Sequence, residues 1–217
     1  MILQGTQTLT SLIHIISESL LTPVVILLVI AVIIVLLAFG GIINEFISRK
    51  AISSKELEEL IRSISFSNNV SQMKEVIDNS NLFDYQKIIL NRIADNYDIG
   101  KEARKAFASE LISDEETRLI KSTNKTDILV RVGPILGLLG TLIPLGPGLA
   151  ALGSGDISTL AQALTIAFDT TVTGLSVGAL AYIISKFKKQ WYESDLITTE
   201  TLAEAELESI SRWWEYA

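Results

Sequence analysis

The stretch "ALTIAFDTTVTGLSVGALAYIISKF", residues 163–187, holds one aspartate and four threonines in an otherwise apolar run. A soluble helix would turn such groups toward water. This run instead has the length and apolar character of a helix inside a membrane. The fold and the function both turn on what Asp169, Thr170, Thr171 and Thr173 face.

Charge spacing extends the reading to the whole chain. Residues 19–43 carry no charge, residues 132–155 carry none, and residues 157–185 carry only Asp169. Each interval supplies the roughly 20 residues that a helix needs to cross about 30 Å of hydrocarbon. The composition agrees, with 48% hydrophobic residues, 20% charged residues and a mean hydropathy of +0.40. The first run has no basic leader, and "INEFISRK" (43–50) follows it where a signal peptide would have a small-residue cleavage site, so it reads as a retained span. The absence of cysteine excludes disulfides and thiolate metal sites, and a single histidine gives no basis for a multi-histidine site. No metal or cofactor is expected. A net charge of -7 leaves no footprint for nucleic acid.

The basic residues orient the spans. Fourteen of the 18 Lys and Arg lie in residues 44–131, and the other four are Lys186, Lys188, Lys189 and Arg212. Arg49 and Lys50 follow the first span, Lys125 and Arg131 precede the second, and "KFKK" closes the third. Lys and Arg concentrate on the cytoplasmic side of spans. The expectation is an all-α membrane protein of three transmembrane helices, with a cytoplasmic helical domain, the N-terminus outside and the C-terminus inside. Its segments are an outer interfacial stretch (1–20), transmembrane helices at 21–43, 129–152 and 158–185, a cytoplasmic helical domain (44–128), an outer turn (153–157) and a cytoplasmic C-terminal helix (186–217).

The first span, with "VVILLVIAVIIVLLAF" (24–39) at its heart, is apolar all round, so no face stands out and lipid is its expected neighbour. Before it, Leu9, Leu12, Ile13 and Ile16 recur at helical spacing and suit the outer interface, with His14 an interface side chain. In the middle segment, "SSKELEELIRSI" (53–64) opens with a serine cap and first-turn acids. Apolar positions then recur at three and four through residues 69–133, predicting several helices and one long helix running from about Ala103 into the second span. The charges there read as a solvated surface with i,i+4 pairing. In the tail, Leu196, Leu202 and Leu207 suit packing on the helical body, and Trp213, Trp214 and Tyr216 suit capping it or touching the inner headgroups.

The second span is "ILVRVGPILGLLGTLIPLGPGLAAL" (128–152). Gly133, Gly137 and Gly140 lie on nearly one face, where small residues permit close helix approach. Pro134 reads as a kink at the inner end. Pro144 and Pro147 remove backbone donors and loosen the outer half, shaping either packing or a pore. Thr141 and Thr171 lie at similar depth, about 12 and 14 residues from the inner ends of their spans, and can face each other or a common channel. Asp169 shares a face with Thr173, not with Thr171, and Thr170 is its neighbour around the helix. Intramembrane acids favour protein interiors or wet cavities, which suggests an ion pathway. A protonated Asp169, or one bonded to a threonine, would be purely structural.

"GPILGLLGTLIPL" (133–145), followed after a short turn by "LAQALTIAFDTTVTGLSVGALAYIISKF" (160–187), resembles the MotA/TolQ/ExbB proton-channel family, with a span plan like that of its TolQ and ExbB members. The resemblance puts a pore-lining threonine after "GLLG" at Thr141, and a second before "GL" at Thr171, with Gly174 in the packing face. It implies a homopentamer in the inner membrane. It also implies two axial partner subunits of the ExbD, TolR or MotB kind, each with a single span whose transmembrane aspartate carries the proton while the threonines surround it. Two features depart from the family pattern: Asp169, where an apolar residue is usual, and "PLGPG" (144–148). Energy transduction by proton or sodium flow is the expected function, without covalent catalysis. A non-conducting scaffold anchored by the glycine-rich hairpin is the alternative.

Overall fold

The computed structural model describes residues 2–49 and 52–215, with side chains described at Leu9 and from residue 11 to 214 within those bounds. Lys50 and Tyr216 lie outside the described residues. Seven helices form the described chain: α1 (Ile2–Ser19), α2 (Leu21–Ser48), α3 (Ser54–Ser65), α4 (Val70–Asp78), α5 (Asp84–Asp95), α6 (Lys101–Gly153) and α7 (Ile157–Glu215). Among the described residues, three helical stretches are long and apolar enough to cross a membrane: Ser11–Ser48, Lys101–Gly153 and Ile157–Trp214. The protein is therefore all-α and multi-pass. Contacts divide it into an apolar unit, Met1–Asn44 with Thr123–Phe187, and a polar unit, Glu45–Ser122 with Lys188–Ala217.

In the apolar unit, α1 runs almost directly into α2. The Leu20 amide donates to the carbonyls of Ile16 and Ser17, and the Val24 amide to that of Leu20, so only Leu20 interrupts the helical run. Leu9, Leu12, Ile13 and Ile16 are exposed, and His14 lies 3.4 Å from Glu18. The expectation that α2 has no preferred face needs correction. Val24, Leu28, Ala31, Val35 and Ile42 form one buried seam, with Val24 and Leu28 packed on Leu136 and Ile143 of α6. An all-apolar helix hides such a seam from sequence periodicity, because the buried and exposed faces have the same composition. Most of α2 is nonetheless exposed, as expected.

α6 begins two residues before Ala103 and continues unbroken through Pro134, Pro144 and Pro147. The turn to α7 passes through Gly155, whose φ of +83° suits a residue without Cβ. α7 has no break between the stretch read as a span and the stretch read as a tail.

The polar unit packs α3, α4 and α5 with the N-terminal part of α6 and the C-terminal part of α7. Its core joins Ile64, Met73, Ile77, Leu90 and Ile93 to Ala108, Leu111, Leu202 and Ile210. The serine signal is realised as a capping box. Ser53 Oγ accepts from the Glu56 amide, and Glu56 accepts from the Ser53 amide, which lowers the Glu56 carboxyl below its ordinary range. Leu202 enters the core and the half-buried Leu207 packs against it, whereas Leu196 is half-buried outside it. Trp213 donates to Ser67 O at 2.8 Å, and the exposed Trp214 to Tyr97 O at 3.2 Å.

The reading of the middle-segment charges as a solvated surface needs correction at Arg104, and the tail adds a second covered charge at Glu206. Glu58 and Arg62 fit it as an exposed i,i+4 pair. Arg104 and Glu206 do not, at 1% and 0% exposure. Arg104 shares a helical stripe with Ala108 and Leu111, and donates to Tyr97 O, Ile99 O and Ser211 Oγ. Both carboxyl oxygens of Glu206 lack a hydrogen-bond partner among the described residues. Burial pushes the Glu206 carboxyl well above its usual range, partly offset by the charge of Arg104. Asp195 is likewise raised by burial, against the opposing effect of its partner Arg49.

A raised acid binds more protons folded than unfolded, so its contribution to stability falls as pH rises above the unfolded value. Glu206→Gln is therefore expected to gain stability over the parent chain as pH increases from about 5 to about 8, read as a widening gap in thermal unfolding midpoints in detergent. A constant gap would remove Glu206 as the titrating group.

Candidate functional site

The site is built on close contact between α6 and α7, which run antiparallel within the apolar unit. A Cβ on Gly174 would lie 2.6 Å from Gly133 O and 2.7 Å from Gly137 Cα, closer than real side chains come to backbone. One on Gly140 would lie 2.6 Å from Thr170 Cβ. The glycines expected to pack, Gly133, Gly137, Gly140 and Gly174, therefore meet along one seam. Two further glycines belong to it. Gly178 lies against the Pro134 ring and Gly148 against Ala163. The small-xxx-small spacing from Gly174 to Gly178 was the available signal for the first. Pro134 thus sits inside α6 as a packing surface. Pro144 is buried and Pro147 half-buried, both within continuous helix.

At one edge of the seam, Thr141 Oγ1 and Thr171 Oγ1 are 2.6 Å apart, so the two threonines of similar depth do meet. Each oxygen also lies 2.8 Å from a carbonyl of its own helix, Gly137 O for Thr141 and Ala167 O for Thr171. These three contacts share only two hydroxyl hydrogens. One threonine donates across the pair while the other donates to its own backbone, and rotating both hydroxyls exchanges the roles. The pair can therefore reverse the direction of its hydrogen bond without moving a heavy atom.

The other polar residues are not gathered there. Thr170 is 6% exposed, lies in the seam against Gly140, and donates to its own helix at Ile166 O and Ala167 O. Asp169 lies two residues from Thr171, about 160° away around the helix. It is exposed in the single chain, and its carboxylate makes no hydrogen bond or ion pair among the described residues. Thr173 shares its flank, as the spacing predicted, but bonds the Asp169 backbone carbonyl at 2.7 Å and leaves the carboxylate free. Sequence reading also passed over Asp127, which accepts a hydrogen bond from Ser185 and ties α6 to α7.

The model of the MotA/TolQ/ExbB proton channel family matches residues 82–200, more than half of the chain and all of the seam from Gly133 to Gly178. A comparison with curated proteins gave no match.

The seam predicts a sharp contrast between glycines. Gly174→Ala is expected to destabilise the purified chain by about 1–3 kcal/mol, because backbone on the facing helix must move. Gly146, with nothing within 4 Å of a built Cβ, should tolerate alanine with a change below about 1 kcal/mol. Thermal unfolding in detergent measures both, and equal effects would contradict the close approach.

Proposed function

The chain belongs to the MotA/TolQ/ExbB proton channel family, and from that premise we propose that it is the multi-pass subunit of an ion-driven membrane motor. It conducts protons, with sodium as the alternative cation, beside a single-span partner whose transmembrane aspartate carries the ion. The observation that carries this reading is the Thr141–Thr171 pair, two hydroxyls 2.6 Å apart on neighbouring membrane helices. A hydroxyl pair that can reverse its donor direction suits a path in which water and an acid on the partner exchange protons. Thr170 supports the pair through packing, and Asp169 with Thr173 adds an acidic flank on the same helix.

The subunit sits in the cytoplasmic membrane with its N-terminus outside and its polar unit and C-terminus inside. The 14 basic residues in residues 44–131 and those at 186–189 support that orientation. It works as a homopentamer around the partner, by analogy with the family, and transports ions without covalent catalysis. A second reading, a non-conducting scaffold, draws on the glycine seam, which would also serve a purely structural hairpin.

Proton flux under an imposed gradient separates the two readings. The chain is co-reconstituted in liposomes with a candidate single-span partner that carries a transmembrane aspartate. Thr171→Val and Asp169→Asn should each lower flux at least about tenfold, the effect of roughly 1.4 kcal/mol on a barrier, with assembly intact. A complex that assembles and passes no ions in the parent form supports the scaffold. A conducting parent with both variants unchanged displaces the pathway from these residues.

A further inference from the structure

α7 carries a second polar surface, separate from the threonine pair. Gln162, Thr165, Asp169, Thr173 and Ser176 fall within about 80° of arc and extend over about 21 Å of helix. All but the half-buried Thr173 are exposed in the single chain. The stripe has two apolar borders. On one side is the seam with α6, at Gly174 and Val177. On the other are Phe168, Val172 and Leu175, with exposures of 68%, 64% and 57%. Thr165 and Thr173 direct their hydroxyl hydrogens to their own backbone, leaving oxygen lone pairs facing outward. The Asp169 carboxylate stands in the middle with no partner among the described residues.

Acyl chains cannot satisfy such a row. A second copy of the same membrane segments cannot neutralise it either, since residues 19–43 and 132–155 carry no charge and 157–185 carry only Asp169. The nearest basic residue along α7 is Lys186, about 25 Å away at the helical rise. One cationic side chain from another protein would meet Asp169 alone. It would leave Gln162 and Ser176, each about 10 Å distant along the helix, without partners. Water and a mobile cation fit the whole row.

We propose that this stripe is a hydrated, cation-accepting face along α7, in which Asp169 supplies the charge and Gln162, Thr165, Thr173 and Ser176 supply neutral oxygens for a monovalent cation and its water. This deepens the conducting function above, on which its role in transport rests. It assigns α7 two polar flanks, with the cation held on the flank away from Thr141 and Thr171.

The native chain has no cysteine, so single thiols report their own surroundings. Cysteine is placed in turn at 162, 165, 173 and 176, and at 168, 172 and 175 for comparison. Each variant is assembled with its partner in native membranes and treated with membrane-impermeant methanethiosulfonates, one cationic and one anionic. Thiolate is the reacting form and persists where water stabilises it, so stripe positions should react at least about tenfold faster than the comparison positions. The cationic reagent should lead at the stripe, and Asp169→Asn should abolish its lead. Stripe rates no faster than those at 168, 172 and 175 would overturn the hydrated face. Fast rates without preference for the cation, or a preference that survives Asp169→Asn, would overturn the cation assignment. Labelling is independent of flux. A chain that passes no ions yet labels along the stripe overturns the conducting function alone, and one that conducts with a dry stripe overturns this inference alone.

Discussion

Backbone contact between α6 and α7 is the constraint on which the apolar unit depends. Gly133, Gly137 and Gly174 bring main chain against main chain; a Cβ at Gly174 would collide with backbone, and one at Gly133 or Gly137 would be tight against it. In hydrocarbon, helices gain nothing from hiding apolar side chains, because lipid is as apolar as leucine. Association there relies on dispersion across a close, complementary surface and on hydrogen bonds. The seam supplies the first. The bond from Ser185 to Asp127 and the Thr141–Thr171 pair supply the second. The 2.6 Å hydroxyl contact exists because the glycines set the distance between the helices.

That spacing also divides the polar groups of α7. Thr170 is committed to the seam, Thr171 to one edge of it, and Asp169 with Thr173 to the far flank. A helix turns 100° per residue, so polar residues adjacent in sequence separate in space. The run "DTTVT" (169–173) is thus a distribution of hydroxyls and one acid around a helix, with each member in different surroundings.

Much of this was legible in the sequence. Charge-poor intervals marked the three apolar stretches, glycine spacing marked most of the seam, and counting from span ends put Thr141 level with Thr171. What escaped notice did so for physical reasons. The buried seam of α2 leaves no periodic trace in a uniformly apolar helix. Arg104 and Glu206 look like ordinary surface charges, because helical spacing shows which residues share a face but not whether charged members of that face are covered. Their burial emerges only when α6 and α7 pack with α3, α4 and α5. Gln162 and Ser176 sit among apolar neighbours and attract attention only once the α6-facing side of α7 is known. Asp127 lies among charges near the end of a span, and nothing local marks Ser185 as its partner.

The prolines of α6 bear on how the helix responds to force. Pro134 removes one rung, but its ring is braced against Gly178 in the seam. Pro144 and Pro147 remove two more rungs within a single turn, freeing the carbonyls of Gly140 and Ile143. These two losses fall inside the seam, between Pro134 braced on Gly178 and Gly148 braced on Ala163. Between those two points the hairpin is held by contact between its helices more than by the backbone bonds of α6.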